Sequence, residues 1–431
     1  MNAETILDHI MALVTPSIHK TRRAAIKACI KSLMHGASGS VTNIGRGIHS
    51  SAYEKHNIKR ADRLLSNTHL QSELPLIYSS MCKLVENVSS TPIIHIDWSD
   101  LDPNKRHFLI RAALIFSGRS LTLYEEVHCM KTKEKPSTHQ QFLNRLKEML
   151  GEQVRPIIVT DAGFKVPWFR QVLALGWDYV GRARKPNFYQ TADNDWQCIS
   201  LLYKQASRKA KAISAQLSRS NTLSTTLVLF KGKSKGRSSI NCFGQKRQNS
   251  NTKKYAKGAA DPWLIATSLP QCSGVAKRVI KIYYSRMQIE EAFRDMKSPQ
   301  YGLGFMVNKS KQIKRIKVLV MLVSLANSIL ILLGLALVVS GQSSRFQANT
   351  VKNRRVLSFH TLGLRAVKQL WFNVTNNQWR TTIRHLINYV RNIDYAIELI
   401  CGDPSDSDPI DSKASFKACG PPQGVLLGYR F

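Results

Sequence analysis

The spacing of apolar residues changes period along this chain. Near the start, Ile6, Ile10 and Leu13, then Ala25, Ile26, Cys29, Ile30 and Leu33, recur at helical intervals, which predicts a helical module over residues 1–85. From about residue 90 the pattern is that of strands. Pro92–Trp98 (PIIHIDW), His107–Phe116 and Leu121–Val127 are expected strands, the last two joined by a turn at Ser117-Gly118-Arg119-Ser120. Thr138–Leu150 is amphipathic at helical spacing. Pro156–Asp161 (PIIVTD) is almost continuously apolar, as in a strand buried on both faces. Val166–Leu175 reads as a helix and Trp177–Arg182 as a strand. The order β-β-β-α-β-α-β predicts an α/β fold, an RNase H-like mixed sheet with flanking helices, in which residues 86–187 form the first part of a core.

Residues 188–260 interrupt that alternation. They are rich in Lys and Arg, with Asp193 and Asp195 as the acids, and carry short β-like pieces such as Thr225–Phe230, so a basic β-rich insertion with mobile loops around Lys231–Arg237 is expected. Strand character returns at Pro262–Leu269. Ser273 is placed to cap one long helix running through Tyr283 to Lys297, and residues 261–340 complete the core. Val318–Val339 is long and apolar enough to span a bilayer, with Lys311, Lys314, Arg315 and Lys317 imitating a topogenic basic flank. Burial inside a large domain is the expected reading, because a span there would part the preceding helix from its partners. Residues 341–402 read as a helical C-terminal region suited to dimerisation. Residues 403–431, with Asp403, Asp406, Asp408 and Asp411 among Pro and Ser, read as a disordered tail.

Charge narrows the function. The 431 residues hold 63 Lys and Arg against 28 Asp and Glu, a net charge of +35, which points to a polyanionic partner, nucleic acid before an anionic membrane. Basic side chains crowd the N-terminal helices (Lys20, Arg22, Arg23, Lys27, Lys31, Lys55, Lys59, Arg60, Arg63), a pattern suited to gripping duplex DNA. The eight cysteines are scattered without C-x2-C pairs, which argues against zinc ribbons and a disulfide framework and fits a reducing, cytoplasmic compartment. The start, MNAETILDHIMAL, lacks the features of a signal peptide.

The candidate chemistry lies in Tyr283, Arg286, Glu290 and Lys297, spaced Y-x2-R-x3-E-x6-K. At about 100° per residue they share an arc of roughly 60° on one helix. That face is either a solvated surface with an i,i+4 Arg–Glu pair or a carboxylate set among phosphate-binding groups. Asp97 near the end of the first strand and Asp161 at the end of the later buried strand would meet at the centre of such a sheet, and burying either calls for a partner or a metal. Asp97, Asp161 and Glu290 are thus the minimum set for two-metal phosphoryl transfer, with Asp97 bridging two Mg2+ ions and the others each holding mainly one. Tyr283, Arg286 and Lys297 would then hold phosphates. Asp100, Glu291 and Asp295 are nearby acids outside the set.

These residues resemble those of a known family, the DDE transposases of bacterial insertion sequences, in the Y-x2-R-x3-E-x6-K group called insertion-sequence family four, on the branch of insertion sequence ten. The supporting stretches are HNIKRADRLLSN (56–67), IDWSDL (96–101), TDAGF (160–164), YYSRMQIEEAFRDMKSPQYGLGF (283–305) and RFQANTVKNRRVLS (345–358). The resemblance implies a cut-and-paste enzyme. It would use Mg2+, with Mn2+ able to substitute, held by Asp97, Asp161 and Glu290, and would act on double-stranded DNA at terminal inverted repeats and target sites. It implies a homodimer, hairpin formation and reopening, and joining of 3′ ends. It also implies a base-stacking tryptophan, matched here by Trp263, whose alternative is a core strand position. Met306-Val307 and the acidic tail depart from the family's habit. A nuclease without joining activity, a non-catalytic DNA-binding protein and a membrane-anchored basic protein are the competing readings.

Overall fold

The computed structural model describes residues 1–116, 118–232, 261–347, 350–351 and 355–391, with residues 250 and 258. The N-terminal module is helical as expected: α1 (Ala3–Val14), α2 (Lys20–Met34), α3 (Val41–Arg46), α4 (Glu54–Ser66) and α5 (Thr68–Glu86). Several of its helices start where side chains satisfy free backbone N–H groups. Asn2 accepts from Thr5, Ser40 from Asn43 and Asn67 from Leu70.

The strands are β1 (Ile93–Asp100), β2 (His107–Phe116), β3 (Arg119–Cys129), β4 (Ile157–Thr160), β5 (Asp178–Ala183), β6 (Phe188–Thr191), β7 (Asn194–Cys198), β8 (Lys211–Leu217), β9 (Leu223–Phe230) and β10 (Trp263–Thr267). They form one sheet in the order β3-β2-β1-β4-β5-β10-β9-β8-β6-β7. β4 runs parallel to β1 and to β5, while β2 and β3 form the antiparallel meander. This large mixed sheet and its helices fit an RNase H-like fold. The strands after residue 188 do not form a separate unit: β9 pairs with β10, and β8, β6 and β7 extend the same sheet. Most of the basic run expected to be mobile, and the tail at 403–431, lie outside the described residues.

Helices α6 (Pro136–Leu150) and α7 (Val166–Ala174) follow the expected alternation, while the short α8 (Ser200–Tyr203) lies within the segment expected to be β-rich. The single helix expected through Tyr283 to Lys297 is a correction. It is two helices, α9 (Val275–Tyr284), starting at a left-handed Gly274 rather than capped by Ser273, and α10 (Met287–Lys297). At the junction the backbone tightens to i→i−3 bonds, Ser285 N to Ile282 O and Arg286 N to Tyr283 O. The Ser285 hydroxyl donates to Ile282 O at 2.5 Å, back-bonding of the kind that bends helices. The common arc drawn on an unbroken helix therefore does not hold.

Past α10 the motif YGLG turns the chain back. Leu303 N bonds to Asp295 O at 2.7 Å and Gly39 N to Leu303 O at 2.7 Å, so the turn caps α10 and ties it to the N-terminal module. A Cβ on Gly302 would lie 1.9 Å from Asp295 O, which explains a glycine here. The apolar segment is α11 (Ile313–Val339), long enough to cross a membrane but almost entirely buried within the protein. α12 (Phe359–Ala366) crosses it so closely that a Cβ on Gly334 would sit 1.9 Å from Phe359 O, and α13 (Asn376–Arg391) also covers it. Its polar residues are satisfied inside: Asn327 pairs with His360 at 2.6 Å, and Ser324 accepts from Arg111 at 2.9 Å.

Arg111 on β2 and Glu125 on β3 are buried partners at 2.8 Å, and Tyr78 of α5 donates to Glu125 at 3.1 Å. Glu125→Gln leaves the guanidinium uncompensated and should cost about 3–5 kcal/mol in urea unfolding, whereas replacing both members with apolar residues should cost less. Equal losses would show that the pair is not coupled.

Candidate active site

β1 and β4 lie side by side in parallel register, with His95 opposite Val159. Two residues further along each, Asp97, the fifth of eight residues in β1, comes level with Asp161, which directly follows the end of β4. The side chain of Asp97 is 14% exposed, and one carboxylate oxygen accepts from Trp98 N at 2.8 Å. Asp161 lies in the turn after β4, where it accepts from Gly163 N at 2.8 Å. Burial and the neighbouring Asp161 push the Asp97 carboxyl up to about 8, against the pull of Arg286 and the Trp98 N–H. Two carboxylates held together this way favour either a shared proton or a cation.

Glu290, on α10, is the exposed member, and its partner is Arg286. The guanidinium lies 2.6 Å from Glu290 Oε1 and 3.5 Å from Asp97 Oδ2, so it bridges two of the three expected acids. Burial opposes its charge, but Tyr283, Glu290 and Asp97 together hold it above its ordinary value. Glu291 and Asp295 are engaged elsewhere: Glu291 pairs with Arg294, and Asp295 is buried against Arg119 at 2.5 Å. Asp100 lies 3.8 Å from Lys105.

The other expected residues are distributed around this centre. Lys297 donates to Ser99 Oγ at 2.6 Å, two residues beyond Asp97, and burial lowers its ammonium to about 8. Tyr283 is buried rather than surface-facing, and burial raises its phenol. Its ring stands edge-on to Trp263 at 4.9 Å, and the indole also meets Tyr284 at 4.6 Å. Trp263 is therefore a half-buried member of an aromatic cluster at the start of β10, against the helix that ends at Tyr284.

Two neighbours were not singled out in the sequence. Register places Arg182 of β5 next to Asp161, since Thr160 pairs with Gly181. Arg182 is largely buried, with its Nε unpartnered. A lone arginine within the strand run DYVGRA was the only available signal. His95, beneath Asp97 on the same face of β1, contacts Ser285 at the helix junction at 2.8 Å.

A family model described as a transposase DDE domain matches residues 89–326, more than half of the chain. The chain belongs to that family. It is a DDE transposase, a metal-dependent enzyme that cleaves DNA and transfers strands. The matched segment holds Asp97, Asp161 and Glu290. No curated protein matches the chain.

The donor set of this transposase fits a hard divalent cation: oxygen ligands, one of them desolvated beside a second carboxylate. Among the described residues, no three acidic, His or Cys side chains converge on one point as they stand. Glu290 is held instead in an ion pair with Arg286.

The raised Asp97 carboxyl has a stability consequence. Its unfolded value is near 3.8, so between that and about 8 the folded state holds a proton that the unfolded state has lost, and stability falls as pH rises. Buried histidines such as His95, lowered from 6.5, act only below that value, and Lys297 only above about 8. From pH 6.5 to 8 the metal-free melting temperature should fall, and the fall should vanish in Asp97→Asn or with saturating Mg2+. A flat metal-free profile would contradict this electrostatic reading.

Proposed function

We propose that this enzyme is a cut-and-paste transposase of the insertion-sequence family four group, close to that of insertion sequence ten, with Asp97, Asp161 and Glu290 as its metal-holding triad. The observation that carries the reading is the pair of carboxylates, Asp97 within β1 and Asp161 just past β4, with Arg286 joining Asp97 to Glu290 on the neighbouring helix. Mg2+, or Mn2+ in its place, would supply charge stabilisation at the scissile phosphate and activation of the attacking oxygen.

The chain's own groups have separable tasks in this reading. Asp97 and Asp161 are fixed by backbone N–H groups and supply oxygen donors on a rigid sheet. Arg286 exchanges its carboxylates for a DNA phosphate, which releases Asp97 and Glu290 together; DNA and cation binding thereby reinforce each other. Lys297, anchored on Ser99, faces a neighbouring phosphate. Tyr283 supports the same strand of DNA from below, beside Trp263. A flipped base would stack on Trp263, which offsets part of the cost of unstacking it. Water attacks phosphorus and the 3′-oxygen leaves with a proton. That 3′-hydroxyl attacks the opposite strand's phosphate, displacing the 3′-oxygen of the flanking DNA and closing a hairpin; water reopens it, and the freed 3′ end attacks a target phosphate, whose own 3′-oxygen leaves.

The domain layout belongs to the same proposal: 1–85 binds the element ends, 86–187 and 261–340 form the catalytic core, 188–260 is a basic β-rich insertion and 341–402 mediates dimerisation. The homodimer would act in the cytoplasm on terminal inverted repeats and target DNA.

The test is a labelled duplex bearing the terminal inverted repeats that flank the coding region, incubated with target plasmid and Mg2+. Wild type should yield nicks, hairpins and joined products. Asp97→Ala, Asp161→Ala and Glu290→Ala should each lose more than about 100-fold in rate while still binding DNA. Cleavage without joining would mean a nuclease, and retained cleavage in all three variants would remove the triad. End binding should also weaken steeply with salt, as expected when many phosphates are neutralised; a nearly flat plot of log K against log salt would contradict the assigned role of the basic surface.

A further inference from the structure

The junction between α9 and α10 is where Tyr283 turns inward and Arg286 turns toward the carboxylates, and one buried contact fixes it. Ser285, with no exposed surface, spends its hydroxyl proton on Ile282 O. Its lone pair is left to accept from His95 Nε2 at 2.8 Å, so the imidazole is the Nε2–H tautomer. His95 is itself fully buried, and its Nδ1 has no hydrogen-bond partner. Side chains alternate along a strand, so His95 and Asp97 share a face of β1. Ser285 immediately precedes Arg286 and lies five residues before Glu290. The His95–Ser285 bond thus links the strand that carries one carboxylate to the helix bend that aims the other.

We propose that His95 and Ser285 form a positioning pair that sets the distance between Asp97 and Glu290, and so the geometry of the metal site, without touching DNA or metal. The inference rests on the triad reading above. A polar bond is costly to retain at this depth, and the surrounding positions are apolar: Ile93 of β1 and Val159 of β4 on one side, Val279, Ile280 and Ile282 of α9 on the other. An apolar contact would pack this layer without fixing a direction. The hydrogen bond holds the bend at one register, where a shift of about 1 Å in a reacting group can cost on the order of 100-fold in rate.

The experiment uses the full chain, the labelled inverted-repeat duplex and Mn2+. It reads the single-turnover cleavage rate, the Mn2+ concentration for half-maximal rate, the Kd for DNA without metal and the melting temperature. Ser285→Ala should slow cleavage about 10- to 100-fold and raise the half-maximal Mn2+ concentration, with DNA Kd within about twofold of wild type. Ser285→Thr, which keeps the hydroxyl, should recover most of both. His95→Phe should match Ser285→Ala, and the double variant should be no slower than either. If Ser285→Ala does not fold, Ser285→Cys against Ser285→Thr gives the same comparison.

A folded Ser285→Ala with wild-type rate and Mn2+ dependence would overturn the pair while leaving the triad intact. So would a rate loss that follows melting temperature alone and is not recovered by threonine. A wild type that does not cleave with Mn2+ would overturn the triad reading and the pair's role with it.

Discussion

Arg111 is about 1% exposed in the middle of β2, where a guanidinium is tolerated only if its donors are met. It is paired with Glu125, donates to Ser324 of α11 at 2.9 Å, lies 3.0 Å from Met296 Sδ of α10 and stacks over Phe293 at 4.9 Å. Glu125 in turn accepts from Tyr78 of the N-terminal module. One charge therefore ties the sheet, the Glu290 helix, the apolar helix and the N-terminal helices to a common point. Arg111 is also the cross-strand partner of Asp97, so that point sits beside the site. Hydrophobic burial supplies most of the stability of such a core, but it does not say how a helix should be rotated. The buried pair and its donors do.

The site inherits this rigidity on one side only. Asp97 and Asp161 are held by strands and backbone N–H groups, whereas Glu290 is 45% exposed on its side chain and held by Arg286. In the proposed reading, two fixed donors and one exchangeable donor would assemble when a phosphate takes the guanidinium away. That reading would link the DNA-binding charge of the chain to its metal chemistry through a single side chain.

Much of this was legible in the sequence. His107–Phe116 was read to the residue because ten consecutive positions are buried and β-prone, and PIIVTD announced β4 with an acid at its end. The triad candidates were legible because carboxylates at the ends of apolar strands are costly without a purpose. Glu291 pairs with Arg294 and Arg119, and Glu290 with Arg286, the i,i+4 contact that spacing offered as one reading of that face. The break at Ser285 was not legible, because propensities favour a continuous helix and only a buried histidine from a distant strand gives the serine its partner. Arg111, Arg182 and His95 were missed for the same reason: each looks like an irregularity in an apolar strand until its cross-chain partner is known. The apolar helix was read correctly as buried, since Ser324 and Asn327 find their partners inside the protein.

The most direct test of the central claim is an anomalous-scattering map of the protein bound to an inverted-repeat duplex and Mn2+. The account predicts manganese within coordination distance of Asp97, Asp161 and Glu290, with Arg286 moved onto a DNA phosphate. Manganese bound elsewhere, or Arg286 still bridging Asp97 and Glu290 in the loaded complex, would contradict it.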